Sequence, residues 1–199
     1  MGRTKVLLET ERLVLRRFTG DDGGNLYDLD SDPEVMRYLS GGTPTPREAI
    51  ERDILPLFTR YDEHFPDFGF WAAIERASGM FLGWFSFRPL VEGDSRQIAL
   101  GFRLRQVAWG QGYATEGAQA LVHLGFTELG VERVTATTYE ENLASRRVME
   151  KAGMTLTRRF RMASADFDDV DTHQTSTQEP WDGDDVEYSL QRVDFSASQ

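Results

Sequence analysis

The period of the hydrophobic positions changes several times along the chain, and each change marks an element. From Thr10 to Phe18 the pattern alternates. Leu13 and Leu15 fall on one side and Arg12, Val14 and Arg16 on the other, which predicts a strand. Thr19-Gly20-Asp21-Asp22 reads as a turn into a short helix through Leu26, Tyr27 and Leu29. Asp32 before Pro33 is an N-cap with proline at the first helical position. Val35, Met36 and Leu39 supply this second helix's apolar side, and Gly41-Gly42 stops it. Beyond the connector Thr43-Pro44-Thr45-Pro46, Thr45 and Glu48 predict a capping box. Ile50, Ile54, Leu57, Phe58 and Tyr61 then recur at helical spacing, with Pro56 bending or interrupting the helix.

Two strand patterns follow, Phe68 to Ile74 and Met80 to Arg88, separated by the hairpin Glu75-Arg76-Ala77-Ser78-Gly79. The second is heavy on both faces, as a central strand covered by helices would be, and Pro89 closes it. After Glu92-Gly93-Asp94-Ser95, a strand from Ile98 to Leu104 runs into Trp109-Gly110-Gln111-Gly112. A helix from Tyr113 to Leu129 follows, ended by Gly130. Val131 to Tyr139 is a strand and Asn142 to Ala152 a short helix, with Ser145 as its N-cap and Gly153 and Met154 closing it. Strands from Thr155 to Arg161 and from Val186 to Val193 finish the pattern. It contains no internal repeat and no second domain, so residues 1–199 are expected to form a single domain with an acidic insertion at about 163–187.

Composition narrows the function. A chain of 199 residues, 40% hydrophobic and 28% charged, can bury a sizeable core. Cysteine is absent, which excludes disulfides, thiolate chemistry and cysteine-based metal sites. The apolar run near the start is too short for a signal peptide, and no apolar span is long enough for a bilayer, so a cytoplasmic location and no membrane partner are expected. From Ala163 to Glu187 there are nine acidic residues and no Lys or Arg. That segment therefore carries −9 of the net −11, leaving −2 for the rest. This balance argues against a nucleic-acid partner, which needs a cationic surface. His64, His123 and His173 are the only histidines, and their spacing makes no metal site.

The chemistry concentrates at the glycines. Gly110 and Gly112 can adopt positive φ and let a ligand approach the backbone, while the first N–H groups of the next helix lack internal partners and carry the positive end of its dipole. The natural guest of such a turn is a phosphate or pyrophosphate.

Trp109-Gly110-Gln111-Gly112-Tyr113-Ala114-Thr115-Glu116 resembles the cofactor signature of the GCN5-related N-acetyltransferases (GNAT), and within them the ribosomal-protein N-terminal acetyltransferase-like branch. Thr10-Glu11-Arg12-Leu13-Val14-Leu15-Arg16 is similar to that branch's opening strand. Asn142-Leu143-Ala144-Ser145 with Glu150-Lys151-Ala152-Gly153-Met154 is similar to its last motif. The resemblance implies an α+β chain, a strongly bent mixed sheet flanked by helices in the acyl-CoA N-acyltransferase fold. It also implies direct transfer of an acetyl group from acetyl-CoA, without a metal, to a primary amine on a protein N-terminus or a small molecule. Carried over by position, it places the pantetheine arm on the backbone of Phe102, Arg103 and Leu104, with the Leu104 N–H polarising the thioester oxygen. The pyrophosphate would lie on Val107, Ala108, Trp109, Gly110, Gln111, Gly112, Tyr113, Ala114 and Thr115. Asn142 would meet the pantetheine arm and Ser145 would serve as proton donor to the departing thiolate. Many relatives are dimeric, and exposed aromatics with a spare sheet edge allow a homodimer here.

Two positions depart from the family's pattern. Val107 stands where Gln or Arg is usual, although that residue acts mostly through its backbone. Met149 stands where many relatives carry a proton-donating tyrosine, and methionine cannot donate. Ala99 and Leu100 also replace the glutamate that often acts as general base, leaving water or a group outside the motif. Glu116, in a helix first turn, is expected to be structural. These departures support one alternative, a non-catalytic acyl-CoA-binding sensor or regulatory module. A P-loop hydrolase is disfavoured because no Gly-Lys-Ser/Thr follows the glycines. The acidic segment is expected either to attract a cationic acceptor or to be a solvated insertion.

Overall fold

The computed structural model describes residues 4–60, 66–91, 93–161 and 183–197. Among these residues eight strands form one sheet in the order β1-β2-β3-β4-β5-β6-β8-β7. They are β1 (Val6–Glu9), β2 (Leu13–Arg17), β3 (Gly69–Glu75), β4 (Phe81–Val91), β5 (Asp94–Leu104), β6 (Arg133–Tyr139), β7 (Thr155–Phe160) and β8 (Asp185–Gln191). All pairs are antiparallel except β5 with β6. The helices are α1 (Gly23–Asp30), α2 (Pro33–Ser40), α3 (Arg47–Ala49), α4 (Leu55–Arg60), α5 (Tyr113–Thr127), α6 (Leu143–Lys151) and α7 (Arg192–Ala197).

Helices cover both faces of the sheet, and each face has its own core. One core joins Phe85, Phe87, Ile98 and Leu100 to Ala118, Leu121 and Val122 of α5 and Met149 of α6. The other joins Phe70, Ala72 and Trp84 to Leu26, Leu29, Ile50, Ile54 and Phe58. Phe58 stacks on Phe70 with ring centroids 3.9 Å apart. β4 is buried on both faces from Phe81 to Pro89, as a central strand requires. α5 sits unusually close to it, because a Cβ at Gly117 would fall 2.3 Å from the Phe85 ring and one at Gly125 2.6 Å from that of Phe87.

Several local expectations hold. Asp32 caps α2 through the Glu34 N–H (2.9 Å), and Gly41 ends that helix at φ 65°. Beyond α6, Met154 N–H donates to Met149 C=O and Gly153 N–H to Glu150 C=O, a Schellman closure with Gly153 at φ 88°.

Others are corrected. An additional strand, β1, precedes the first predicted one, and the first predicted one begins at Leu13. Pro46, not Thr45, is the N-cap of α3, and no side chain caps it, so the Thr45–Glu48 capping box does not form. Ahead of Pro56 the helix widens into a π turn over Ile50–Ile54, in which Leu55 N–H reaches Ile50 C=O. A wider turn accommodates a proline ring that has no N–H and would press on the carbonyl four residues back. Pro89 does not close β4, which continues to Val91. Its missing donor faces the β3 side, where pairing has already ended at Gly69 opposite Phe87. Asn142, rather than Ser145, is the N-cap of α6: its carbonyl oxygen accepts from Ser145 N–H at 3.2 Å. α5 ends at Thr127, three residues before Gly130. The last predicted strand stops at Gln191 rather than Val193 and gives way to α7, whose Phe195 packs on Phe126 at 5.3 Å.

Candidate active site

The site begins where two strands part. β5 pairs with β6 only at Gln97, Ile98 and Ala99, whereas β4 stays with β5 to Leu104 and β8 stays with β6 to Tyr139. Glu132 N–H donates to Arg96 C=O and Arg105 N–H to Leu82 C=O, both at 2.8 Å. Backbone groups alternate sides along a strand. Even-numbered residues from Arg96 to Leu104 therefore turn theirs towards β6 and odd-numbered ones towards β4. The bridge of Ala99 to Thr135 uses the Leu100 N–H, so beyond it the N–H groups of Phe102 and Leu104 face a gap with no strand in it among the described residues. The expected trio thus divides: Phe102 and Leu104 stand in this row, while Arg103 turns its backbone to Trp84 and its guanidinium to Asp30 at 2.6 Å. Sequence reasoning missed this alternation, because only the registers with β4 and β6 reveal it.

The row leads onto the glycine turn. After a 3₁₀ turn over Gln106–Ala108, Gly110 has φ 72° and Gly112, the N-cap of α5, has φ 86°. Among the described residues no side chain caps the helix. The first-turn amides of Tyr113, Ala114 and Thr115 are therefore free to meet an anion, and nothing lies within 4 Å of where a Gly110 Cβ would be. An uncapped helix of 15 residues, two left-handed glycines and an unpaired strand edge fit a ligand with a pyrophosphate and an extended amide-bearing arm. Val107, Trp109 and Leu143 are large apolar residues left exposed around this cleft, as a partly apolar ligand would require.

A polar clamp fixes the turn from behind. Glu116 accepts from Thr10 Oγ1 (2.5 Å), Arg12 N–H (2.9 Å) and Arg12 Nε (2.6 Å). Arg12 also donates to Gln111 C=O (2.9 Å) and lies 4.5 Å from the centre of the Tyr113 ring, whose hydroxyl donates to Glu75. Trp109 Nε1 donates to Leu104 C=O (2.8 Å), tying the turn to the strand end. Burial pushes the Glu116 pKa up, but the hydrogen bonds from Thr10 and Arg12 outweigh it and hold the carboxyl below its ordinary value. Glu116 is therefore committed to holding β2 against α5.

Across the gap stands the start of α6. Asn142 caps it, and the Ser145 hydroxyl, half-buried in its first turn, has no partner among the described residues. Arg146 anchors the helix by donating to Tyr188 Oη and Glu140 C=O, each at 3.0 Å. Met149 is buried in the core. On the opposite face of the sheet, Arg103 and Asp30 form a buried ion pair beside Trp84, and Gln106 donates to both oxygens of Asp32. His123 is exposed near Phe195, and His64 and His173 lie outside the described residues. Among the described residues there is no group of side chains able to hold a metal, and no helix long and apolar enough to cross a membrane.

Comparison with known proteins agrees with this geometry. The family described as "Acetyltransferase (GNAT) domain" matches residues 12–155. The chain is 33% identical to the FsC-acetyl coenzyme A-N(2)-transacetylase of Aspergillus fumigatus over 96% of this chain and 79% of that one. It is 30% identical to an uncharacterised N-acetyltransferase of Bacillus subtilis over 74% and 81%. Its fold is similar to that of a GNAT-family acetyltransferase from Bacillus anthracis, with a TM-score of 0.75 at 23% identity over 95% and 99% of the two chains.

Proposed function

The chain belongs to the GNAT acetyltransferases, enzymes that use acetyl-CoA, and on that premise we propose that it moves the acetyl group directly to a primary amine of a small molecule or a protein N-terminus. The observation that carries this reading is the opening of β5 from β6, which leads a row of unpaired N–H groups onto an uncapped, glycine-led helix. Acetyl-CoA supplies an activated thioester carbonyl, and the acceptor nitrogen displaces sulfur from it.

The chain's own residues then have distinct tasks. The backbone from Val107 to Thr115, with Gly110 and Gly112, holds the pyrophosphate. Phe102 and Leu104 N–H groups hold the extended arm, and one of them, that of Leu104, donates to the carbonyl oxygen as negative charge develops there. Asn142 presents its amide nitrogen to the arm while its oxygen caps α6. The acceptor ammonium gives up one proton to water before attack; as the amide forms the nitrogen sheds a second one to water, and the Ser145 hydroxyl passes a proton to the leaving sulfur while taking its replacement from water. An alkyl ammonium with a pKa of about 8 to 10.4 must lose that first proton, so kcat/KM should rise with pH across this range. The test is release of free coenzyme A thiol from acetyl-CoA on addition of a primary amine. Amine-dependent release at a rate above hydrolysis supports transfer, and tight cofactor binding with no release for any amine would favour a sensor instead.

A further inference from the structure

The far side of the gap carries a carboxylate that the chemistry above does not use. Asp185 opens β8, opposite Tyr139 of β6 on one side and Phe160 of β7 on the other. Directly opposed residues share a face of the sheet, so this carboxylate stands between two aromatic side chains. Tyr139 in turn packs against Tyr38 of α2, with centroids 5.9 Å apart. Gly183 lies so close over Tyr139 that a Cβ there would fall 2.1 Å from the phenol oxygen, which fixes the approach to the strand. Val186, Tyr188 and Leu190 point into the core beneath α5 and α6. Asp185 therefore projects from the other face, the one covered by α2.

The nearby charges are already committed. Glu187, next along that face, pairs with Arg133 (3.1 Å) and Arg158 (3.2 Å). Arg158 lies over the Phe160 ring, Arg159 pairs with Glu140 at 3.0 Å, and Asp184 is exposed. Among the described residues Asp185 has no side-chain hydrogen-bond or ion-pair partner. Burial first, and the charge of Asp184 second, push its pKa up. A half-buried carboxylate without a counter-ion disfavours the folded state whenever it is charged. Aromatic walls with one such carboxylate are what an organic ammonium needs: a charge to pair with and ring faces for its alkyl groups.

We propose that Asp185, flanked by Tyr139 and Phe160, binds a second cationic group of the acceptor, so that diamines and polyamines are the preferred substrates. The proposal rests on the gap being the site of transfer. β6 and the gap both separate Asp185 from the β5 row, so two paired-strand spacings of about 4.8 Å set a lower bound of about 10 Å between the two nitrogens of a fitting acceptor.

The experiment compares diaminooctane with octylamine as acceptors in the parent enzyme and in Asp185→Asn. The parent should favour the diamine by about tenfold in kcat/KM, through KM rather than kcat, and Asp185→Asn should bring the ratio close to one. Asp184→Asn removes the same charge from the exposed neighbour and should keep the parent ratio. Without ligand, Asp185→Asn should melt no lower than the parent, since it removes an unpaired charge. An equal preference in parent and Asp185→Asn, or the same collapse in Asp184→Asn, overturns the proposal. If neither amine is acetylated, the transfer reading fails separately. Calorimetric binding of diaminooctane to the coenzyme A-loaded parent and Asp185→Asn then decides this one, and equal affinity contradicts it.

Discussion

The two sides of the gap are built from different materials. On the α5 side, recognition is mostly backbone: two left-handed glycines, three first-turn amides and every second N–H of β5. On the α2 side it is side chains drawn from distant parts of the chain, Asp30, Tyr38, Arg103, Tyr139 and Asp185. A site made of backbone tolerates many side chains and presents the same donors to one invariant ligand. A site made of side chains can be rewritten residue by residue, and the acceptor subsite proposed at Asp185 is of that kind.

The contrast predicts different failures. The largest effect should come from the α2 side. Asp30 and Arg103 side chains are 2% and 9% exposed. Removing one partner strands a buried charge, so Asp30→Ala should lower unfolding stability by about 3–5 kcal/mol in denaturant titrations. Changing both residues to apolar ones, Asp30→Leu with Arg103→Met, should recover most of that loss. On the α5 side, Gly112→Val should leave the fold intact but reduce acetyl-CoA affinity about a hundredfold in calorimetry, because φ 86° excludes a β-branched residue. Affinity equal to the parent's would reject the glycine turn as the anion site.

The α5 side was also the side legible in the sequence, for the same reason. Glycines, caps and a strand-to-helix junction are local signals, so the turn at Gly110–Gly112, the Asp32 cap and the closure at Gly153 could be read directly. Errors arose where local signals compete. Asn142 and Ser145 can both cap a helix, and only the observed bond, Asn142 Oδ1 from Ser145 N–H, decides between them. Pro89 looks like a strand end unless the end of β3 is known. The Tyr139–Asp185 and Arg103–Asp30 pairs left no trace, since they span 46 and 73 residues and depend on strand register and helix placement. Glu116 lies between these cases: its first-turn position was readable, its grip on Thr10 and Arg12 was not.

Two smaller effects sharpen the comparison at its border. Ser145→Ala should reduce turnover about tenfold, about 1.4 kcal/mol, with cofactor affinity kept. Asn142→Ala should instead weaken affinity and cost about 1 kcal/mol of stability as a lost cap. Equal turnover of parent and Ser145→Ala, under conditions where chemistry limits the rate, assigns the proton to water. The smallest effect belongs to the clamp. The Glu116 pKa is depressed in the folded protein, so its stabilising contribution is complete above the ordinary glutamate value of 4.5 and is lost as pH falls through the folded value. Glu116→Gln should therefore cost at most about 1 kcal/mol at neutral pH, and the difference from the parent should vanish in acid.

The central claim is that acetyl-CoA binds along the unpaired edge of β5, and residue-resolved hydrogen exchange tests it most directly. Ala99, Gly101 and Arg103 amides, bonded to β4, should exchange slowly with or without the cofactor. Phe102 and Leu104 amides should exchange faster in the free protein than that of Leu100, which still pairs with β6. On binding, Phe102 and Leu104 should slow by at least about tenfold, together with the first-turn amides of α5. Protection by acetyl-CoA that misses Phe102 and Leu104, or that spreads evenly over odd and even positions of β5, would contradict the account.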